Sequence, residues 1–174
     1  MNEKIKPTMI IRRANQQDID GILKLLEQVL EIHAAIRPDI FISGTTKYTR
    51  EELGDILLDD TRPVYVAVEE EMVFGYAFCV LKKQPFTTTM VPFLSLYIDD
   101  LCVDEHARGR HIGEELFEHV KREALRLGCY EITLNVWEGN DGARRFYEKM
   151  GLRVKETQME YILDEKQEGD GDDG

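Results

Sequence analysis

A mixed, mostly antiparallel α/β sheet flanked by helices is the fold class that the sequence predicts. Three observations predict it. Short apolar runs bounded by turn residues recur along the chain, and they read as strands. They are interleaved with helical patterns in the order βαα, three strands, then αβαβ. The run 93–103, the amphipathic stretch 113–127 and the run 131–136 form a strand–helix–strand unit, whose two strands should lie parallel.

The 174 residues (20.2 kDa) suit one domain, spanning 1–163, followed by an acidic tail over 164–174. With 43% hydrophobic residues the body carries enough apolar surface to fold. Apolar runs such as Phe78 to Leu81 are far short of the ~18 residues a membrane span needs. Asn2, Glu3, Lys4 and Lys6 interrupt any apolar leader after Met1.

The elements follow in order. Residues 9–14 read as a first strand. Asp18 can cap a helix in which Ile19, Ile22, Leu23, Leu26, Val29, Leu30 and His33 recur at helical spacing. Pro38 and Asp39 break it, and 41–48 is a polar loop. Thr49 and Glu52 form a capping box ahead of Leu53, Ile56 and Leu57. After Pro63, the runs 64–68 and 72–81 flank Glu69, Glu70 and Glu71, an antiparallel hairpin. Residues 84–91 form a loop. The helix over 113–127 turns Leu116, Phe117, Val120, Ala124 and Leu127 to one side and stops at Gly128. A short helix over 141–150 ends at Gly151, and 154–163 reads as a last strand. The tail holds six acids against Lys166, a composition that reads as disordered.

Net charge is −12, with the acidic excess extending into the body. That disfavours nucleic acid, which wants a basic face. An acidic body serves solubility and also draws cations. Cys79, Cys102 and Cys129 lack CxxC spacing, so no disulfide framework or metal site is expected, and the compartment reads as reducing and cytoplasmic.

Residues 103–114 carry the most informative chemistry. A strand ends, a basic glycine-bearing turn follows, and a helix begins. Free N–H groups and the macrodipole make a helix start an anion site. Gly109 and Gly113 let a ligand near the backbone, and Arg108 and Arg110 can bond phosphate oxygens. No Walker loop and no G-x-G-x-x-G fingerprint is present. A second segment, Leu134 to Leu152, ends a strand, supplies Asn140 in a polar turn and presents Phe146 and Tyr147 on a short helix.

Together these two segments, with the Ile-Arg-Arg-Ala start, Asp18 and the central hairpin, resemble the GNAT superfamily of acyl-CoA-dependent N-acetyltransferases. The family's pyrophosphate motif, Arg/Gln-x-x-Gly-x-Gly/Ala, falls on Arg108 to Gly113, with His111 in place of the first glycine. The resemblance implies a splayed parallel strand pair that admits the pantetheine arm of acetyl-CoA. The backbone of Leu101, Cys102 and Val103 would bond that arm. The amides of Arg108, Gly109, Arg110, His111, Ile112, Gly113 and Glu114 would hold the pyrophosphate. Asn140 would contact the cofactor, and Tyr147 would protonate the leaving thiolate. No metal is implied. A homodimer is implied, dimers being common in the family.

The base is sought in Tyr97-Ile98-Asp99-Asp100-Leu101, which resembles the polyamine (diamine) acetyltransferase branch. That makes Asp99 the first candidate base and Asp100 the second, while both can equally serve as ion-pair partners. Strict alternation sets Tyr97, Asp99, Leu101 and Val103 on one face and Ile98, Asp100 and Cys102 on the other. Asn135 stands in the fifth strand where branches acetylating protein N-termini carry a glutamate. The acceptor expected is a small cationic amine. The rivals are a protein lysine or N-terminus, a xenobiotic amine such as an aminoglycoside, and a CoA-binding sensor without turnover. His33 reads as a helix-end residue facing the dipole or as a pocket lining, and Trp137 as packing or as a ligand platform.

Overall fold

A computed structural model describes residues 8–85 and 87–163; the expected acidic tail lies outside the described residues. The elements are β1 (Ile10–Arg13), α1 (Ile19–Ile36), α2 (Arg50–Leu57), β2 (Val64–Glu69), β3 (Met72–Lys83), β4 (Leu94–Val103), α3 (Ile112–Arg126), β5 (Glu131–Leu134) and α4 (Asp141–Lys149). The five strands form one sheet in the order β1-β2-β3-β4-β5, antiparallel except for the parallel β4–β5 pair. The mixed sheet is therefore as the pattern predicts. No helix among the described residues is long and apolar enough to cross a membrane.

Each face of the sheet is covered by helices, so the strands read as apolar runs. Ile22, Leu25 and Leu26 of α1 and Leu53 and Ile56 of α2 bury against Val64, Val66, Tyr76 and Phe78. Phe117, Val120 and Ala124 of α3 bury against Tyr65, Ala77, Cys79, Leu96 and Ile98 on the opposite face. Between β2 and β3, Glu70 (φ 49°) and Glu71 (φ 65°) make a two-residue turn with both φ angles positive, the twist that suits a tight hairpin.

Three expectations need correction. Asp18 precedes α1 but makes no side-chain cap to it. Its carboxylate instead takes two bonds from Arg12 of β1 (2.7 and 2.9 Å) and one from the Asn15 N–H (2.8 Å), clamping the first strand to the first helix. The last expected strand, 154–163, is not a strand among the described residues. Alternation supplies a strand's faces, but a ladder needs a neighbouring edge, and this segment pairs with none among the described residues. The fifth strand also stops at Leu134, short of Val136.

The Arg12–Asp18 clamp is nearly inaccessible on its acidic side. Asp18→Ala leaves the Arg12 guanidinium and the Asn15 N–H without their acceptor. A loss of about 3 kcal/mol in unfolding free energy is expected from urea denaturation.

Candidate active site

The site begins where the parallel pair ends. β4 and β5 pair from Ser95↔Glu131 to Ile98↔Leu134 and no further. On its other edge β4 stays paired to β3 as far as Val103↔Gly75. The register of that ladder jumps, with Cys79 opposite Ile98 and Phe78 opposite Asp100. Asp99 is the extra residue of a β-bulge. A bulge bends its strand, and here β4 leaves β5 at that residue. The backbone from Asp99 to Val103 thus faces an open gap on the β5 side.

The bulge also corrects the expected alternation. Leu96 and Ile98 face α3, and so does Leu101 beyond the bulge. Cys102 faces α1 and α2 instead, with Tyr76 and Phe78. Asp100 shares that face, accepting a bond from the Tyr76 hydroxyl at 2.7 Å. Asp99 is bonded by Lys47 of the α1–α2 loop. Both carboxylates therefore reach toward the α1–α2 side, where strict alternation had separated them.

Their environments differ. Burial pushes Asp100 up to about 6; the Tyr76 hydroxyl and the Lys47 charge pull it back, and Asp99 adds repulsion. Burial works against the Lys47 ammonium, but Asp99's hydrogen bond and charge outweigh it and raise its pKa. Tyr147 on α4 is pushed up by burial and then by Asp100, Cys102 and Cys79, so its phenol stays protonated at neutral pH. Burial first, then Asp100's charge, push the Cys102 thiol up to about 12.

The basic turn forms the far end of the gap. Gly109 (φ 83°) and His111 (φ 60°) both adopt left-handed backbone, and His111 is the N-cap of α3 with its side chain outward. Histidine thus takes the conformation that glycine takes most easily. No side chain caps α3, whose first N–H groups stay free for a ligand. A Cβ on Gly113 would come within 3.3 Å of the Phe146 ring and 3.6 Å of Val103. The glycine lets the start of α3 sit close against Phe146 of α4 and Val103 of β4. Arg110 is paired with Glu69 and lies over Phe74, while Glu114 accepts from Lys149 at 2.7 Å. Arg108 is exposed. Asn140 caps α4, its side-chain oxygen accepting from the Ala143 N–H at 3.3 Å.

The flank toward α1 is aromatic. His33 lies 5.2 Å from Phe41, which meets Trp137 edge-on at 5.4 Å. Burial, then Lys47, holds the His33 pKa down, which favours the neutral ring over a charge facing the helix dipole. Across the mouth of the splayed pair, Asn135 donates to the Tyr97 hydroxyl at 3.2 Å.

Sequence reasoning missed Lys47 and Tyr76. Lys47 stands in a stretch that reads only as polar loop, and no local pattern pairs it with a residue 52 positions away. Tyr76 could have been found from the hairpin, had its register against β4 been known.

This geometry has known counterparts. The Acetyltransferase (GNAT) family matches residues 26–152. The chain belongs to that family. It is 24% identical over 155 residues to the thialysine N-epsilon-acetyltransferase of Bos taurus, covering 83% of this chain and 84% of that one. It is 32% identical over 68 residues to the glucosamine 6-phosphate N-acetyltransferase of Arabidopsis thaliana, covering 39% of this chain and 44% of that one. A crystal structure of a mutant Bacillus halodurans protein superposes with a TM-score of 0.84 at 34% identity, over 88% of this chain and 99% of that one. An aminoglycoside N-acetyltransferase in complex with CoA shares the fold at a TM-score of 0.68 and 15% identity, over 91% of this chain and 97% of that one. The chain is a GNAT N-acetyltransferase, an enzyme that acts on amines.

Burial of Asp100 costs stability wherever it is ionised. A pKa raised to about 6 means stability is greatest below the unfolded carboxyl pKa and falls as pH rises through 6. Asp100→Asn should therefore melt higher than the native chain at pH 8, by up to about 3 kcal/mol, and the gain should shrink at pH 5. Calorimetric melts at the two pH values check this.

Proposed function

We propose that this enzyme moves an acetyl group from acetyl-CoA directly to a small cationic primary amine, with Asp100 as base and Tyr147 as acid. The observation that carries the reading is the Lys47 ammonium on Asp99, next to Asp100 at the point where β4 leaves β5. An alkylammonium of the chain itself is bonded to Asp99, and its charge acts on Asp100. The likeness, over 83% of this chain, to an enzyme named for thialysine agrees with this reading.

The residues present suit acetyl-CoA. An amide-bearing arm needs free strand-edge groups, and β4 offers them from Asp99 to Val103. A diphosphate needs helix-start N–H groups, and α3 begins with no side chain occupying them. Gly113 keeps that approach narrow between Phe146 and Val103. Bound there, acetyl-CoA supplies an activated thioester.

The chain's residues supply the rest. Asp99 and Lys47 hold and orient the acceptor's charged end, the incoming ammonium displacing or joining Lys47. Asp100 takes the proton that an ammonium must lose to become a nucleophile. A carboxyl near pKa 6 is ionised at neutral pH and more basic than an ordinary aspartate. Tyr147 gives a proton to the departing thiolate and can do so because its phenol is held neutral. A β4 backbone N–H near Val103 supports the developing oxyanion. Cys102, with its thiol held up to about 12, is a poor nucleophile, which favours direct attack over an acyl-enzyme.

A thiol-release assay with acetyl-CoA tests the reading against polyamines, diamino acids, amino sugars, aminoglycosides and short peptides. Turnover on flexible alkylamines above the rest supports it; turnover confined to peptides, or CoA binding with no turnover on any amine, overturns it. Asp100→Asn and Tyr147→Phe should each lower kcat about 100-fold. Asp99→Asn should instead act on the amine KM.

Tyr76→Phe removes a hydrogen bond that favours the Asp100 carboxylate. The acidic limb of kcat/KM should then move to higher pH by roughly one unit. An unmoved limb assigns the base elsewhere.

A further inference from the structure

The chain carries a primary amine of its own beside the two aspartates of β4. Lys47 bonds Asp99 at the residue where β4 leaves β5, and its charge acts on Asp100, Tyr97 and His33. Two carboxylates and two rings thus feel one alkylammonium, the functional group of the proposed acceptor. Other described lysines stand differently. Lys121, Lys149 and Lys155 pair with Glu118, Glu114 and Glu131, and Lys82 lies over the Tyr97 ring at 3.8 Å. None of these four pairs with an aspartate of β4.

The loop that carries Lys47 is braced on both sides. Ahead of it, Glu31 of α1 accepts from the Ser43 hydroxyl at 2.6 Å and from the Gly44 N–H at 2.7 Å. Behind it, the Tyr48 ring stacks on Phe78 of β3 with centroids 5.8 Å apart, and Thr49 caps α2. A side chain presented by a braced loop behaves as a tethered reactant. It needs no binding step, and its effective concentration exceeds that of an amine in solution. The Lys47 side chain is 42% exposed, so it lies open to an entering ligand.

We propose that Lys47 is a self-modification site: with acetyl-CoA bound and no other amine present, the chain acetylates its own Lys47. The inference rests on the acetyl-transfer reading and uses the same groups. The Lys47 ammonium passes one proton to the Asp100 carboxylate. Its nitrogen then attacks the thioester carbon; a C–N bond forms and the C–S bond breaks. The departing sulfur takes a proton from Tyr147, and the nitrogen's second proton restores that phenol. Asp100 returns its proton to water. The net products are N-acetylated Lys47, the CoA thiol and one proton. Asp99 favours the ammonium form and slows the first step, while tethering acts in the opposite direction. The resulting acetamide is neutral and cannot react again, so modification stops at one group. It also ends the ion pair with Asp99, leaving that carboxylate to an external ammonium.

Mass spectrometry of the full chain incubated with acetyl-CoA alone should show one acetyl group gained, and peptide mapping should place it on Lys47. Lys121 and Lys155 in the same digest report uncatalysed acetylation by the thioester, and they should be labelled about 100-fold more slowly. Diluting the protein should leave the rate constant for Lys47 unchanged, as a reaction within one chain requires. Asp100→Asn and Tyr147→Phe should each slow the labelling about 100-fold, and Lys47→Arg should leave no label at that position. Labelling of Lys47 no faster than that of Lys121 overturns the proposal. So does labelling that slows on dilution, or that survives both substitutions at the native rate. An unmodified Lys47 in a chain that acetylates external amines overturns this proposal alone and leaves the acetyl-transfer reading standing. A chain that acetylates neither Lys47 nor any external amine overturns both.

Discussion

The extra residue in β4 sets the geometry of the candidate active site. Up to Ile98 the strand is held on both edges, by β3 and by β5. At Asp99 one additional residue is accommodated against β3, and the ladder to β5 ends. A strand interior would bury these backbone groups in a continuous sheet. Here they have no β5 partner on one edge over Asp99 to Val103. The same residue inverts which side chains face α1 and α2. Asp100 and Cys102 come to that face, and Asp99 reaches Lys47 from it. One insertion thus opens the gap and brings two carboxylates to its α1–α2 side.

The chemistry of the cleft comes from low polarity with few compensating partners. Asp100 has a tyrosine hydroxyl and a distant ammonium where a structural carboxylate would have a close cation. Asp18 shows the contrast within the same molecule, with Arg12 in a two-bond clamp and a backbone N–H besides. The clamped acid fastens β1 to α1. The loosely compensated one keeps its proton up to about pH 6 and is the kind of group that exchanges it near neutrality. Tyr147 is governed by the same surroundings in the same sense, its neutral form favoured by burial and then by Asp100's charge.

Much of the fold was legible from local signals. Capping at Thr49, the amphipathic face of α3 and the stop at Gly128 are decided within a few residues of sequence, and each appears where expected. The strand–helix–strand reading of β4, α3 and β5 follows from connection length and handedness, and its parallel pairing is observed. The last strand failed for a reason that local signals do not contain. Val154 to Leu163 has the alternation, but strand formation depends on an edge elsewhere. At the site, the loop with His111 was legible because helix starts and left-handed turns are local matters. The Lys47–Asp99 pair was not, since it joins a loop to a bulge 52 residues on.

The sequence by itself determined which groups are available: a basic turn opening a helix, two adjacent aspartates in an apolar strand, and a tyrosine on a short helix after the fifth strand. These depend on hydrophobic period, capping and turn chemistry, interactions reaching only a few residues along the chain. Tertiary structure alone decided how those groups face one another. The register of β3 against β4 placed the bulge at Asp99, and the bulge overrode the two-residue alternation that any single strand suggests. Register is a property of two strands and the helices that bury them, so the side on which Asp100 meets Tyr76 could be fixed only once both strands were in place.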